Sequence, residues 1–332
     1  MKIIIRVDGY NRIGLGHIYR TTALAHHLSN HHILFVSKKI HKLGINFIKS
    51  QNFNIKTFTL KKEFYEIIAN FEPDIIFNDI LDTSTDYIEY LKGKNILTVN
   101  FEDLGDGSTK ADIVINALYE QKNSLDNYYW GKNYYILREE FQDIEQKTIE
   151  KEVKKILITF GGTDPNNYTK KVLELLNNMD LKNIKISIVL GLGYTKYDDL
   201  IKYSQELNHK FMIKKNVKNI SALMYDADLI FTSAGRTVYE IASIGVPTIV
   251  LAQNDRELLH TFADKKNGFL NLGLGYKVSN EKIKKLITLL INDYDFRKKL
   301  CCLMLKQNLK SGISNVIDLI FKTYENFRKE VN

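Results

Sequence analysis

Short runs of β-branched and aromatic residues alternate along this chain with longer stretches whose apolar positions recur every three or four residues. The first pattern reads as buried strands and the second as helices with one buried face. Ile3–Asp8 opens as a strand, and Gly14–Ser29 follows as a helix with Ile18, Leu24, Ala25 and Leu28 on one side. Strands are then predicted at Ile33–Ser37, Phe53–Thr59, Asp74–Asn78, Ile96–Phe101 and Ile113–Asn116, with helices at His41–Gln51, Lys62–Phe71 and Asp86–Lys92. A polar stretch rich in Glu, Lys and Gln, Gln142–Lys155, interrupts the pattern, which then restarts. Strands at Ile156–Phe160, Ile184–Leu190, Phe211–Ile213, Leu229–Thr232 and Thr248–Leu251 alternate with helices at Asn167–Met179, Asp199–Asn208, Ile220–Ala227, Thr237–Ile244 and Arg256–Lys266. Asn280–Asn292, Asp295–Lys310 and Val316–Lys329 complete the chain as helices. Such alternation implies βαβ units and parallel sheets covered on both faces. Two arrays of this kind meet near Glu145–Lys154, so the expected division is 1–145, 146–310 and a terminal helix within 311–332 that packs back on the first domain.

Composition narrows the partners. The 332 residues correspond to roughly two domains, and 47 Lys+Arg against 39 Asp+Glu give a net charge of +8. The lysines are spread along the whole chain and no nucleic-acid-binding motif accompanies them, so a solvated surface and a small anionic ligand are expected rather than nucleic acid. No apolar run approaches the roughly 20 residues that span a bilayer, so stable membrane insertion is not expected. The first eight residues read as a strand rather than a secretory leader. The two cysteines, Cys301 and Cys302, are adjacent and have no metal-ligand spacing. A cytoplasmic location is the natural expectation, with no essential metal or cofactor. The oligomeric state is open.

In open α/β sheets ligands bind beyond the carboxyl ends of strands, and four loops in such positions carry candidate chemistry. The first holds Gly14-Leu15-Gly16-His17-Ile18-Tyr19-Arg20. Two glycines before a helix let backbone amides approach an anion. Tyr19 at the third glycine position excludes the dinucleotide fingerprint. His17 lies in the first turn, where the helix dipole disfavours imidazolium, and a neutral ring can accept a proton from water. His26, His27, His31, His32 and His41 read as solvated. The second loop is Gly161-Gly162-Thr163-Asp164-Pro165, a phosphate cradle in which Asp164 is expected to cap the following helix with Pro165 in its first turn. In the third, Ser233-Ala234-Gly235-Arg236-Thr237, small residues suit a diphosphate, and Glu240 one turn further either holds a ribose diol or pairs with Arg236. The fourth is Phe101-Glu102-Asp103-Leu104-Gly105-Asp106-Gly107, whose carboxylates either orient a base or hold sugar hydroxyls, or form an ordinary acidic turn.

Arg6-Val7-Asp8, Gly14–Arg20, Leu137-Arg138-Glu139-Glu140-Phe141 and Gly161–Asp164 together resemble the UDP-sugar hydrolases of pseudaminic acid biosynthesis (PseG-like) and the spore-coat polysaccharide SpsG-like proteins. Ser233–Glu240 with Gly245-Val246-Pro247 is similar to the nucleotide-binding half of MurG-type glycosyltransferases. The resemblance reaches to about Gly273. It implies a GT-B architecture, two Rossmann-like doubly wound domains facing across a cleft, and metal-free, inverting hydrolysis of a UDP-linked diacetamido-trideoxy hexose. On that resemblance His17 is the base, with Asp8 assigned beside it. Gly161, Gly162, Thr163, Ser233, Ala234, Gly235, Arg236 and Thr237 hold the diphosphate, Glu240 lies near the ribose, and Gly14, Gly16, Arg20, Asp103, Arg138 and Asn254 contact substrate. Leu81 stands where the hydrolases are expected to carry a tyrosine, which leaves the sugar open. A glycosyltransferase using the same donor site is the alternative, and a non-catalytic nucleotide-sugar-binding subunit is a third reading. The aromatic cluster Tyr128-Tyr129-Trp130 with Tyr134-Tyr135 is either an acceptor lining or packing at a domain edge.

Overall fold

The computed structural model describes residues 1–9, 15–181, 183–207 and 211–331. The chain divides into two compact units, Met1–Arg138 with Ser311–Asn332, and Glu139–Lys310.

In the first unit the chain runs β1 (Lys2–Val7), α1 (Gly16–His27), β2 (His32–Lys38), α2 (Lys42–Ser50), β3 (Ile55–Phe58), α3 (Lys61–Phe71), β4 (Ile75–Asp79), α4 (Thr85–Lys92), β5 (Leu97–Phe101), β6 (Ile113–Asn116) and β7 (Tyr128–Trp130). The seven strands form one sheet in the order β3-β2-β1-β4-β5-β6-β7, with parallel pairing throughout. Ile3, Ile4, Ile5 and Val7 of β1 are all fully buried, as expected of a central parallel strand covered on both faces. The strand order reverses between β1 and β4, which makes their carboxyl ends a topological switch point.

The second unit runs β8 (Lys155–Ile158), α5 (Tyr168–Asn177), β9 (Lys185–Leu190), α6 (Tyr197–Gln205), β10 (Phe211–Lys215), α7 (Ile220–Asp226), β11 (Leu229–Thr232), α8 (Thr237–Ile244), β12 (Thr248–Ala252), α9 (Asp255–Leu258), β13 (Phe269–Leu274), α10 (Asn280–Asn292) and α11 (Tyr294–Leu305). Its sheet, β10-β9-β8-β11-β12-β13, is also parallel and reverses between β8 and β11. Gly245 closes α8 at φ +92°, where a Cβ would lie 2.9 Å from the Cys301 sulfur, so only glycine fits. The last helix, α12 (Gly312–Val331), belongs to the first unit. Gly312 lies against the Tyr135 backbone, Asn315 Nδ2 donates to the Asn133 carbonyl at 2.8 Å, and the Tyr324 hydroxyl donates to Asp74 at 3.1 Å. No helix among the described residues is long and apolar enough to cross a membrane.

Three expectations change. The helix expected at Arg256–Lys266 is only one turn, α9, because the chain leaves it to bury Phe262 and Ala263, and Phe262 stacks on Tyr239 at 4.0 Å. Strands β7 and β13 were not expected; β7 takes up Tyr128-Tyr129-Trp130, whose first and third rings stack at 5.3 Å, while Tyr135 is core. Pro165 precedes α5 rather than entering its first turn, although Asp164 does accept from the Tyr168 and Thr169 amides at 2.9 and 2.8 Å.

Candidate functional site

At the switch point of the first unit, α1 brings His17 to the end of β4. The His17 Nδ1–H donates to the Asp79 carboxylate, and its ring is the partly open member of the pair, 13% exposed against 0% for Asp79. Arg20, one turn along α1, donates to both Asp79 oxygens, from Nε at 2.7 Å and Nη2 at 2.6 Å. Its Nη1 reaches Glu102 Oε1 at 2.8 Å, and its guanidinium lies over the Phe101 ring at 5.1 Å. Burial alone would raise the Asp79 pKa. The Arg20 charge, with His17 adding to it, overcomes burial and holds the carboxyl well below the usual range. Asp79 is therefore an anion that accepts at Nδ1, which fixes the tautomer whose Nε2 carries a lone pair. A histidine oriented by a buried carboxylate can take a proton from an incoming oxygen nucleophile.

The backbone around this group is unusual. Glu102 and Leu81, in the loops after β5 and β4, have φ of +53° and +70°. Non-glycine residues there are uncommon, and such strain gathers at functional sites. The α1 N-terminus carries no side-chain cap, which leaves it suited to an anion. Gly16 is its first residue, whereas Gly14 lies outside the described residues.

Several other expected residues sit elsewhere. Asp8 does not join His17. Its carboxylate takes both Arg6 Nη groups at 2.7 and 2.8 Å, His41 Nδ1 at 2.6 Å, and the Lys38 amide at 3.2 Å. Against its burial, these partners lower its pKa to about 2. His41, expected to be solvated, is therefore a buried structural partner, 6% exposed. Arg20 is sequestered between two carboxylates rather than presented to a ligand. Asp103, fully buried, accepts from the Thr83 amide and hydroxyl, from Asn100 and from the Gly105 amide, tying the loops after β4 and β5 together. Its pKa is raised, because burial outweighs those bonds. Arg138 lies over the Tyr19 ring at 4.9 Å.

In the second unit the loops after β8 and β11 flank the other switch point. Gly161 has φ +75°, and the space where its Cβ would point is empty. Gly162 is packed backbone to backbone against Gly191, and its carbonyl accepts from the Gly193 amide at 2.9 Å. Thr163 is half-buried beside it. Ser233 and Ala234 are buried, Gly235, Arg236 and Thr237 are half-buried, and α8 starts without a side-chain cap. Glu240 is 6% exposed, one turn into α8. Asn254 is exposed, and its Oδ1 accepts from the Glu257 amide at 3.0 Å.

Two residues here carried no expectation. Glu257 Oε2 accepts from the Ala234 amide at 3.1 Å and the Gln253 amide at 2.8 Å, and His260 Nδ1 donates to the Ala234 carbonyl at 2.9 Å. Burial pushes Glu257 up to about 7 and His260 down to about 4. Among the described residues no three His, Cys, Asp or Glu side chains converge as metal ligands.

Comparison with known proteins places this geometry in context. The glycosyltransferase family 28 C-terminal domain matches residues 155–320. An uncharacterized protein of Methanocaldococcus jannaschii is 35% identical over 77% of this chain, and the chain spans about half, 56%, of that relative's length. The spore coat polysaccharide biosynthesis protein SpsG of Bacillus subtilis is 26% identical over 90% of this chain and 92% of its own length. A Helicobacter pylori protein named as a pseudaminic acid cytidylyltransferase and UDP-2,4-diacetamido-2,4,6-trideoxy-beta-L-altropyranose hydrolase is 24% identical over 86% of this chain and 50% of its own. Among solved structures, MurG of Acinetobacter baumannii superposes with a TM-score of 0.69 at 14% identity, covering 97% of this chain and 100% of MurG. Anabaena HepE in complex with UDP-glucose gives 0.67 at 13%, covering 98% and 100%. The fold is GT-B, with two Rossmann-like domains.

Proposed function

Because this chain belongs to the glycosyltransferase family 28 C-terminal-domain proteins, in their PseG- and SpsG-like group, we propose that it is a nucleotide-sugar hydrolase. Its substrate on this reading is a UDP-linked acetamido-trideoxy hexose used in nonulosonic acid or surface polysaccharide biosynthesis. The observation that carries the reading is the His17–Asp79 pair at the switch point of the first sheet. His17 Nε2 takes a proton from water as the water oxygen bonds to the anomeric carbon. The bond from that carbon to the diphosphate oxygen breaks, and its electron pair leaves with UDP. Attack opposite the leaving group inverts the anomeric centre. The imidazolium that forms is stabilised by Asp79. The second unit binds the nucleotide on Gly161–Thr163 and Ser233–Thr237, with Glu240 on the ribose. Amides and the α8 N-terminus there stabilise the charge that builds on the departing diphosphate.

The names of the Helicobacter and Bacillus relatives and the UDP-glucose bound to HepE support this choice of substrate. The matched family's own name favours a second reading, glycosyl transfer, in which the same histidine deprotonates a sugar hydroxyl. Nucleotide release without any acceptor separates the two. By NMR on a panel of nucleotide sugars, the wild type is expected to give UDP and free inverted sugar. His17→Ala is expected to be slower by about 10²- to 10⁴-fold. Tight donor binding with negligible release overturns hydrolysis in favour of transfer.

The nucleotide half has its own test. A methyl group at Gly191 collides with the Gly162 backbone, so Gly191→Ala forces the 161–163 loop to shift. A shift of that loop takes its amides out of hydrogen-bond reach of the diphosphate, and each hydrogen bond lost to a charged group costs about 1.5–3 kcal/mol. Calorimetry should therefore show UDP affinity reduced by about tenfold or more. Unchanged affinity in a folded variant removes this loop from the site.

A further inference from the structure

The donors that make the Ser233–Gly235 loop attractive to a diphosphate are already serving a carboxylate. Glu257 accepts from the Ala234 amide at 3.1 Å and the Gln253 amide at 2.8 Å, with a further hydrogen bond to the Ser233 side chain. Its second oxygen lies 3.4 Å from where a Cβ on Gly235 would sit, at the point of the loop that glycine leaves open. The carboxylate is held there from its own side too, because the Glu257 amide is bound by Asn254 and the residue is part of α9. Asp164 from the loop after β8 faces the same point with a second negative charge and is tied to it through Gln253, whose Nε2 donates to Asp164 at 2.8 Å. The cations nearby, Arg236 at the start of α8 and Arg256 on α9, act on His260, and His260 is buried and spends its Nδ1–H on the Ala234 carbonyl. An ionised Glu257 therefore competes with any diphosphate for this loop. A protonated Glu257 does the reverse, because its O–H becomes a donor to a phosphate oxygen.

We propose that Glu257 is an internal anion seated in the diphosphate loop, and that a nucleoside diphosphate sugar binds there with uptake of one proton by this carboxylate. The proposal rests on the reading of that loop as the donor site. Its protonation lies within easy reach, since burial already brings this acid to about 7. Below neutrality the proton is in place before the ligand arrives. Above neutrality it must be taken from solvent, so affinity falls by about tenfold for each pH unit.

The test is calorimetric titration of the full chain with UDP-N-acetylglucosamine and UDP-glucose, whose diphosphate diester does not itself titrate near neutrality. Titrations at about pH 6 and pH 8, in buffers of different ionisation enthalpy, give the protons taken up. The expected result is close to one proton per nucleotide at the higher pH, close to none at the lower, and the stated loss of affinity between them. Glu257→Gln is expected to bind with no uptake and a flat pH profile. Binding by the wild type without proton uptake overturns the proposal, and needs no variant to read. Retention of the wild-type slope by Glu257→Gln overturns it as well. Absence of binding at either pH overturns the donor-site reading itself, and the proposal with it.

Discussion

Asp79→Asn is expected to lower turnover of the nucleotide sugar by about 10³- to 10⁴-fold, with donor affinity within about twofold of wild type. The side chain keeps its shape, so the loss comes from charge and hydrogen-bond direction. Asp79 accepts from His17 Nδ1 on one side and from Arg20 on both oxygens. An asparagine has one acceptor oxygen and an amino group. If the oxygen faces His17, the amino group meets the Arg20 donors. If it faces Arg20, the amino group meets Nδ1, and the ring turns to the tautomer that has no lone pair at Nε2. Either arrangement also withdraws the anion that stabilises the imidazolium during the reaction. Steady-state kcat and KM from nucleotide release read the two effects separately. A kcat within threefold or so of wild type is incompatible with His17 acting as a carboxylate-oriented base.

The largest effect on stability is expected from Arg20→Met. The methionine fills much of the volume, but Asp79 and Glu102, at 0% and 2% exposure, lose the cation between them. Breaking a buried pair from one side costs about 3–5 kcal/mol, which lowers the melting temperature of the first unit by roughly 10 °C. The sign of the pH dependence follows from Asp79. With Arg20 present its folded pKa lies below the unfolded value, so its contribution is present above that unfolded value and lost as pH falls through the folded one. Without Arg20, burial is opposed by His17 only, and the same carboxyl moves upward from its wild-type position. The deficit of Arg20→Met is then greatest near neutral pH and shrinks as the pH is lowered toward 4. Thermal unfolding from about pH 7 to pH 4 tests this. A gap that stays constant across that range assigns the loss to packing instead.

The strand and helix alternation was legible because each element carries its own period, and β1 is the clearest case, with a run of isoleucines buried on both faces. His17 was legible for a related reason, since a glycine-rich turn between a strand and a helix is a local signal. Its partner was not, because Asp79 lies 62 positions away and reaches His17 only through the pairing of β1 with β4. Asp8 stood at an equally plausible strand end. What separates it from Asp79 is Arg6 and His41, which consume its oxygens, and His41 reaches it across β2. Arg20 read as an anion ligand because its charge shows in the sequence while its burial between two acids does not. Glu257 gave no signal at all. Its contact with Ala234 depends on β11 and β12 lying side by side and on α9 stopping after one turn, and the apolar pattern past Glu257 pointed to a longer helix.

The first unit is assembled from two separated segments, residues 1–138 and 311–332, while residues 139–310 form the second without interruption. During synthesis the ribosome therefore finishes the second unit first, although its first residue follows more than a hundred earlier ones. The first sheet and the helix α1 that carries His17 precede α12, whose Asn315 and Tyr324 then anchor to Asn133 and Asp74. Up to that moment the faces α12 will cover are open to solvent and to chaperones. The nascent chain thus contains every residue of the second unit before it contains the helix α12 that joins the unit bearing His17.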